Sequence, residues 1–245
     1  MAEPMELVER LGWYGDLPSG NAERFAGYGV MGIPFASGHV LAMRRFVATS
    51  LGEAYTSMWH RDPGGGWTIY TDVPPSQACP RYFGSALSGA VVREIGITWT
   101  GPRAFIVTME DNPTLVWRVS LSTTPATRVM NTMAGAMPDA LWRNESVLRP
   151  MERVAGVLLR AGRLGLTGRV PNGQWFIANP MRIWAVRSST ARMADLDLGD
   201  VAPLPVQTKL GDFWIPQRGI FATGRSFFEP LDPARHAVIT DASSG

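Results

Sequence analysis

A β-hairpin pattern over Gly52–Val73 constrains the fold of this chain more than any other stretch. Two runs rich in Tyr, Thr, Trp, Ile and Val flank the breaker Asp62–Gly66, and such runs around a glycine-rich turn are typical of paired antiparallel strands. If the loop begins at Arg61, His60 and Trp67 face each other. Period-two alternation then predicts a common face for six side chains: Tyr55, Ser57, Trp59, Thr68, Tyr70 and Asp72.

The hairpin alone does not decide which of its faces is covered. Hydroxyls, a carboxylate and aromatic rings on one face are what a cavity for a small, partly apolar molecule needs. In the other interpretation this face is solvated, and the opposite face, with Met58, Trp67 and Ile69, forms the core. Both interpretations stay open at this point.

The composition describes a globular chain and excludes several classes of protein. With 245 residues, 45% of them hydrophobic and 18% charged, the chain has the length of a single β-barrel domain. The net charge is +2 and the basic residues are scattered, so a nucleic-acid partner is not expected. No run of about 20 apolar residues predicts a membrane span, and the acidic N-terminus does not resemble a secretory signal. We therefore expect a cytoplasmic protein without membrane or nucleic-acid partners.

Most of the remaining chain has the pattern of short strands joined by tight turns. Runs of β-branched, aromatic and aliphatic residues predict strands over the following ranges: 39–50, 91–100, 104–110, 115–122, 166–170, 174–178, 181–188, 190–196 and one or two within 211–228. Because no helical crossovers separate most of them, the sheet is expected to be antiparallel. Gly27–Gly38 matches the G-x-G-x-x-G fingerprint, but no buried strand precedes it, and we interpret it as a connector. The predicted fold is mainly β, a single antiparallel β-barrel or cone spanning residues 1–245.

Two helical segments and a tail complete the predicted domain. A short helix around Glu3–Leu11 lies in an N-terminal arm of residues 1–20. A helical insertion covers about 138–164, where apolar residues recur at helical spacing from Val147. We expect its apolar stripe to pack on the sheet, and a partner-binding helix is the alternative. Residues 230–245 are predicted to form a flexible tail.

The reactive side chains form no familiar catalytic or metal-binding motif. The three histidines are far apart in sequence, so neither a metal site nor a cofactor is predicted. Cys79 is the single cysteine, has no visible activating neighbour and is expected to be inert. Lys209 is the single lysine, and we expect it to be exposed and not to act as a Schiff-base amine.

Two stretches resemble the acetoacetate decarboxylase superfamily. Arg44–Met58, with the sequence RRFVATSLGEAYTSM, is similar to a strand pair of that family with Arg-Phe, Leu-Gly and Tyr-Thr. Val170–Gly219 resembles its C-terminal run, with a Pro-Asn turn, an Ala-Pro-Leu-Pro-Val corner and an Ile-Pro strand. Together they cover about a quarter of the chain. The resemblance implies an antiparallel β-cone with a buried pocket, and it places the face with Ser57 toward that pocket.

The same residues depart from the catalytic pattern of that family. Its two pocket glutamates follow the Arg-Phe and the Tyr-Thr, where this chain has Val47 and Ser57. Its Schiff-base lysine is expected in a segment where this chain has Arg93 and Glu94 and no lysine. The resemblance therefore implies the fold, while a Schiff-base decarboxylase is not predicted.

The sequence predicts a β-barrel that binds a small, largely apolar molecule with a carbonyl or carboxylate group. An arginine suits the carboxylate because its guanidinium binds both oxygens at once. The expected ligand contacts are four polar groups, an aromatic wall and an arginine anchor: Tyr55, Ser57, Tyr70 and Asp72 as the polar groups, Trp59 as the wall, and Arg44 or Arg45 as the anchor.

Whether the chain is an enzyme stays open. If it catalyses a reaction without a Schiff base, Asp72 is predicted to be the base and Tyr70 the acid. The alternative function is a lipocalin-like carrier, or a hydratase or cyclase, for an isoprenoid or polyketide, because an eight-stranded barrel holds one small ligand. Assembly into a homo-oligomer is also left open.

Overall fold

The computed structural model describes residues 2–14 and 17–239. Its α-helices in that part of the chain are α1 (Pro4–Tyr14), α2 (Pro80–Phe83), α3 (Pro125–Ala136) and α4 (Glu145–Leu158). Its strands are as follows: β1 (Glu23–Pro34), β2 (Val40–Thr49), β3 (Tyr55–Arg61), β4 (Trp67–Thr71), β5 (Gly89–Val92), β6 (Gly96–Gly101), β7 (Ala104–Met109), β8 (Leu115–Ser122), β9 (Thr167–Arg169), β10 (Trp175–Met193), β11 (Leu196–Asp197), β12 (Lys209–Leu210), β13 (Phe213–Trp214) and β14 (Ile220–Phe228).

One curled sheet organises the molecule. Its strand order is β5-β4-β3-β2-β1-β14-β10-β8-β7-β6, with β9 and β11 added to β10, and every pair is antiparallel except β4–β5. The two end strands, β5 and β6, are joined by residues 93–95 alone, a link that spans about 14 Å at most. The sheet must therefore curl until its edges approach each other. This confirms the predicted mainly β barrel or cone.

The concave face of the sheet is filled by a hydrophobic core. Side chains from strands near both ends of the sheet meet there, including Tyr70 of β4 and Phe105 of β7, together with Val8 of α1. Trp117 and Trp184 lie fully inside this core, with exposed fractions of 0% and 1%. The inside of the cone is thus occupied largely by the protein's own side chains.

The convex face carries a second layer. Beside β1 to β4 the layer consists of α2 and of the segments around Leu204 and Phe213, which pack on aromatic residues of the sheet. Beside β10 and β14 it consists of α3 and α4, with Met130 and Ala155 packed against Ile183. The predicted packing of a helical insertion on the sheet is present here.

The register of the first hairpin differs by one residue from the prediction. Arg61, not His60, pairs with Trp67, because the loop is closed one residue later. Asp62 N donates to Gly66 O at 2.9 Å, and Asp62 Oδ1 accepts from Gly66 N at 3.0 Å. Since alternate residues face opposite sides, a shift of one residue in β4 relative to β3 moves the whole side-chain set of β4 to the other face. The predicted common face of six side chains is therefore wrong.

The glycine-rich segment Gly27–Gly38 is largely a central strand, not a connector. It forms most of β1, which lies between β2 and β14. A β-carbon at Gly27 would lie 2.0 Å from Arg45 O, and one at Gly29 would lie 2.1 Å from Met43 O. Only glycine permits that close approach, so the glycines that suggested a connector are needed by the sheet.

Two helices replace the single predicted insertion. α3 was not predicted, although Thr124 caps it with a capping box and Pro125 occupies its first turn. α4 begins after Asn144, whose side chain accepts from Ser146 N, and Pro150 lies inside it and not at its start. Within the described residues, no helix combines the length and apolar character that crossing a bilayer requires.

The remaining predicted segments are located as follows. The N-terminal helix is α1, and the three strands predicted within 174–196 form the single strand β10, with irregularities after Pro180 and Val186. Of the predicted tail, residues 240–245 lie outside the described residues, whereas His236 is buried and its Nε2 lies 2.8 Å from Glu229 Oε1.

Candidate functional site

A cavity of about 150 Å³ lies between the convex face of the sheet and the helical layer. Small residues of the three central strands form its floor: Gly27, Ala178, Ala222 and Gly224. Gly224 cannot be larger, because a β-carbon there would lie 2.1 Å from Asn179 O. Side chains of this size leave room between two packed layers that larger residues would fill.

The opposite side of the cavity is built by the helices and is largely apolar. It is lined by Met130 of α3, by Trp142 in the short helical turn before α4, and by Met151 and Ala155 of α4. Asn131 fixes α3 on the sheet, since its Nδ2 donates to Ile183 O at 2.9 Å and its Oδ1 accepts from Ile183 N at 2.8 Å. These two reciprocal hydrogen bonds hold the helix on the sheet next to the cavity.

Arg44 is the buried cation at this cavity. It alternates with apolar residues along β2, so its side chain lies on the convex face while Arg45 lies on the concave face. Its Nη1 donates to the carbonyls of Val30 and Met43, and its Nη2 donates to Met31 O at 3.3 Å. Its Nε and one Nη2 hydrogen have no hydrogen-bond partner among the described contacts.

Arg44 has no counter-ion among the described residues. It is 6% exposed, and none of the described ion pairs includes it. Its guanidinium carbon lies 5.2 Å from the ring centroid of Trp59 and 5.7 Å from that of Phe213. Burial lowers the pKa of Arg44 to about 10, so the group still carries its charge at neutral pH. A buried charge without a paired carboxylate is costly, and it is an evident partner for an anion.

A smaller cavity of about 40 Å³ is also lined by Arg44. Tyr55, Trp59 and Cys79 line it. The Cys79 thiol lies 3.2 Å from Ser57 Oγ and 3.5 Å from Tyr55 Oη, while Trp59 Nε1 donates to Ser57 Oγ at 3.1 Å. Burial raises the pKa of the Cys79 thiol, so this cluster is uncharged at neutral pH apart from Arg44.

The structure divides the predicted site residues into two groups. One group shares the convex face: Arg44, Tyr55, Ser57 and Trp59. The other group lies on the concave face, as the corrected register requires: Arg45, Tyr70 and Asp72. The face with Ser57 therefore does not look into the inside of the cone, which is a correction of the expectation drawn from the resemblance.

The concave group forms its own polar contacts. Arg45 Nη1 donates to Thr56 Oγ1 at 3.2 Å and lies 3.8 Å from Asp72 Oδ2. Asp72 Oδ1 accepts from Thr56 N at 2.7 Å. Burial raises the pKa of the Tyr70 hydroxyl. No described hydrogen bond joins Tyr70 to Asp72.

The structure also locates Lys209 and two of the histidines. Lys209 is exposed, as expected, and its Nζ lies 5.3 Å from the ring centroid of Trp214. His39 and His60, distant in sequence, stack with Nδ1 and Nε2 2.8 Å apart. Burial, with a smaller effect of His39, lowers the pKa of His60 to about 4, so the pair is neutral at neutral pH. No group of three potential metal ligands occurs within the described residues.

The sequence did not identify the residues that cover the cavity as site residues. Asn131 lies outside the predicted elements, Trp142 lies in the predicted helical insertion 138–164, and Phe213 lies in the predicted strand region 211–228. A signal for α3 was present in Thr124 and Pro125, which form a helix start. The glycines of β1 and β14 were a second signal, because glycine inside a strand indicates close approach of another group.

Comparisons with known proteins give a distant structural likeness. No family model matches the sequence, and no curated protein matches it. Among solved structures, the chain is similar to the crystal structure of acetoacetate decarboxylase from Legionella pneumophila subsp. pneumophila str. Philadelphia 1, with a TM-score of 0.40 and 9% identity over 91% of this chain and 89% of that one. At this similarity no residue of the site can be assigned from the comparison.

Proposed function

We propose that this chain binds a small, largely apolar molecule bearing a carboxylate, in the cavity between the sheet and helices α3 and α4. The guanidinium of Arg44 takes the carboxylate. The observation that carries the proposal is the buried charge of Arg44, which lacks a counter-ion among the described residues and lines an apolar cavity.

The geometry of Arg44 supports this role. Three backbone carbonyls accept from Nη1 and Nη2 and hold the guanidinium. Nε has no partner among these contacts, and the Nε and Nη2 groups form one edge of the planar guanidinium. That edge is the one that binds a carboxylate with two parallel hydrogen bonds. The anchor is thus oriented before the ligand arrives, which lowers the entropic cost of binding.

The size of the cavity distinguishes the two functions that the sequence left open. A cavity of about 150 Å³ is comparable to one that holds benzene in another protein. It suits an aromatic ring or a short branched chain, and it is too small for an isoprenoid or polyketide unless the helices move. The observation therefore favours a small aromatic or branched acid over the carrier of a long apolar ligand.

Calorimetric titration with benzoate, benzamide and benzyl alcohol tests the proposal. The three probes share one ring and differ in the group that would meet Arg44. We expect benzoate to bind most tightly, and Arg44→Gln to weaken its binding roughly 10- to 100-fold, as removal of a charge-assisted hydrogen bond does. Benzyl alcohol should bind both proteins with similar affinity, because it uses the apolar part of the cavity.

Arg45→Gln is the matched control for this experiment. Arg45 is the next residue of the same strand, but its side chain lies on the concave face beside Asp72. Its removal should leave benzoate binding unchanged. Equal binding of benzoate and benzamide to the wild type, or equal losses in the two variants, would remove Arg44 as the anchor.

Ala155→Leu tests the location of the ring. Ala155 is 4% exposed and lines the cavity from α4, so added methyl groups would occupy the space for the ligand. We expect all three probes to lose binding while the variant keeps a cooperative unfolding transition. Unchanged affinities in a folded variant would place the ligand elsewhere.

Catalysis by Asp72 and Tyr70, on the concave face, is a proposal separate from ligand binding in the cavity at Arg44. If such catalysis occurs, Asp72→Asn should abolish it without changing benzoate affinity, since Asp72 contacts Thr56 and Arg45 and not the cavity. A loss of benzoate affinity in Asp72→Asn would contradict the separation of the two faces.

A further inference from the structure

A groove next to α3 collects three arginines from three different elements. Arg103 from the β6–β7 turn, Arg128 from α3 and Arg182 from β10 line a groove of about 660 Å³. The described residues that line it include no acidic side chain. We propose that this groove binds a small molecule with two adjacent anionic oxygen groups, such as a diphosphate.

The guanidinium groups have donors available for such a ligand. Arg128 is exposed, and its guanidinium takes part in none of the described hydrogen bonds or ion pairs; its backbone oxygen accepts from Thr132 Oγ1 at 3.0 Å. Arg182 uses Nη1 to donate to Met181 O at 2.7 Å, which leaves its Nε and Nη2 groups. Arg103 pairs with Glu3 through Nε and Nη2, the latter at 2.6 Å from Glu3 Oε1, and its Nη1 is left.

The surroundings of these arginines fit an oxygen-rich ligand. A β-carbon at Gly135 would lie 3.4 Å from both terminal nitrogens of Arg182, so the guanidinium rests against a position of α3 without a side chain. Thr123, also in the groove, has a buried Oγ1 without a hydrogen-bond partner. A buried hydroxyl without a partner is uncommon in folded proteins, and a small rotation of Thr123 toward the groove would let a phosphate oxygen satisfy it.

Charge and size define the class of ligand. Because Glu3 neutralises Arg103, the groove keeps about two uncompensated positive charges, which matches a ligand with two or three negative charges. Guanidinium groups bind phosphate oxygens in pairs. The volume lies within the roughly 300–1,000 Å³ of small-molecule sites, whereas a nucleic acid needs an extended basic surface.

Calorimetric titration with inorganic pyrophosphate at low ionic strength tests the inference, because salt screens exposed charges. We expect saturable binding with one site per chain. Arg128→Gln and Arg182→Gln should each weaken it roughly tenfold or more, the loss typical of a charge-assisted contact. Arg118→Gln is the control, since Arg118 is an exposed arginine of β8 outside the groove.

Titration with adenosine diphosphate separates two sources of the same chemistry. Tighter binding of adenosine diphosphate than of pyrophosphate would assign the site to a nucleotide, and equal binding would assign it to a free diphosphate; both support the inference. It is overturned by three results: no binding of either probe, an equal loss in Arg118→Gln, or tighter binding of a short single-stranded oligonucleotide at the same salt.

The inference stands independently of the cavity at Arg44. Asn131 of α3 lines both the cavity and the groove, whereas Arg44 lines the cavity and not the groove. Arg44→Gln should therefore keep its affinity for pyrophosphate, and Arg128→Gln should keep its affinity for benzoate. Loss of pyrophosphate binding in Arg44→Gln would contradict the assignment of the diphosphate to the groove.

Discussion

Replacing Arg44 with methionine should lower the stability of the free protein by only about 2 kcal/mol while removing its response to a carboxylate. Truncating one partner of a buried ion pair usually costs about 3–5 kcal/mol, because the other charge is left without a partner. Arg44 has no carboxylate partner among the described residues, so that cost should not arise. Methionine keeps the length and most of the apolar volume of the side chain.

The expected free-energy change follows from the contacts of Arg44. Burial lowers its pKa from 12.5 to about 10, and at about 1.4 kcal/mol per pKa unit the buried charge costs about 3 kcal/mol. Methionine relieves that cost. It also loses the contacts with the Trp59 and Phe213 rings, at about 1 kcal/mol each, and the three hydrogen bonds to carbonyls, at about 1 kcal/mol each. The losses exceed the relief, and the free energy of unfolding should fall by about 2 kcal/mol.

Urea unfolding with and without benzoate is the assay. A ligand present at about 100 times its dissociation constant stabilises the native state by about 2.7 kcal/mol. The wild type should show this shift at saturating benzoate, and Arg44→Met should show little of it. A loss of more than about 4 kcal/mol in ligand-free Arg44→Met would refute the reasoning, because it would mean that the guanidinium mainly stabilises the fold.

Three further predictions concern the surroundings of the site. The pKa of His60 is lowered from 6.5 to about 4, so the native state binds fewer protons than the unfolded state and its stability falls as the pH drops below about 6.5. By about pH 5 the loss of stability is about 2 kcal/mol. His60→Gln should make the free energy of unfolding depend less on pH across that range. Ser57→Ala leaves Trp59 Nε1 without its acceptor and should lower the free energy of unfolding by about 1–3 kcal/mol, whereas a neutral effect would mean that another acceptor is available. Glu23→Gln breaks the buried ion pair with Arg81, whose Nη2 lies 2.7 Å from Glu23 Oε1, and should lower the free energy of unfolding in urea by about 3 kcal/mol. As a control, Arg10→Gln removes an exposed ion pair and should lower it by less than about 1 kcal/mol.

The local patterns of the sequence predicted most of the sheet. The strands around the first hairpin and β6 to β8 lie where alternation and turn residues placed them, because both signals are short-range. The register failed for the same reason. Whether the loop closes at Arg61 or one residue later depends on the hydrogen bonds of Asp62 with Gly66, and the composition of the loop fits both closures.

The candidate site was predicted only in part. The prediction of Arg44 or Arg45 as the anchor included the buried cation, Arg44. The sequence of β2 alone, however, does not show which of its two residue sets lies on the convex face of the sheet. The cavity itself arises between Gly27, Gly224 and helices that lie about 100 or more positions from β1 in the chain. Contacts at that sequence separation leave no periodic signal, so no local pattern could place α3 over the central strands.

The most direct measurement of the central claim is a crystal structure of the protein with para-bromobenzoate, in which the anomalous signal of bromine locates the ring. We predict bromine between the sheet and α4, near Met151, and the carboxylate on the Nε and Nη2 edge of Arg44. Bromine on the concave face beside Arg45 and Asp72, or a ligand-free cavity in crystals grown at saturating ligand, would contradict the assignment of Arg44 as the carboxylate anchor.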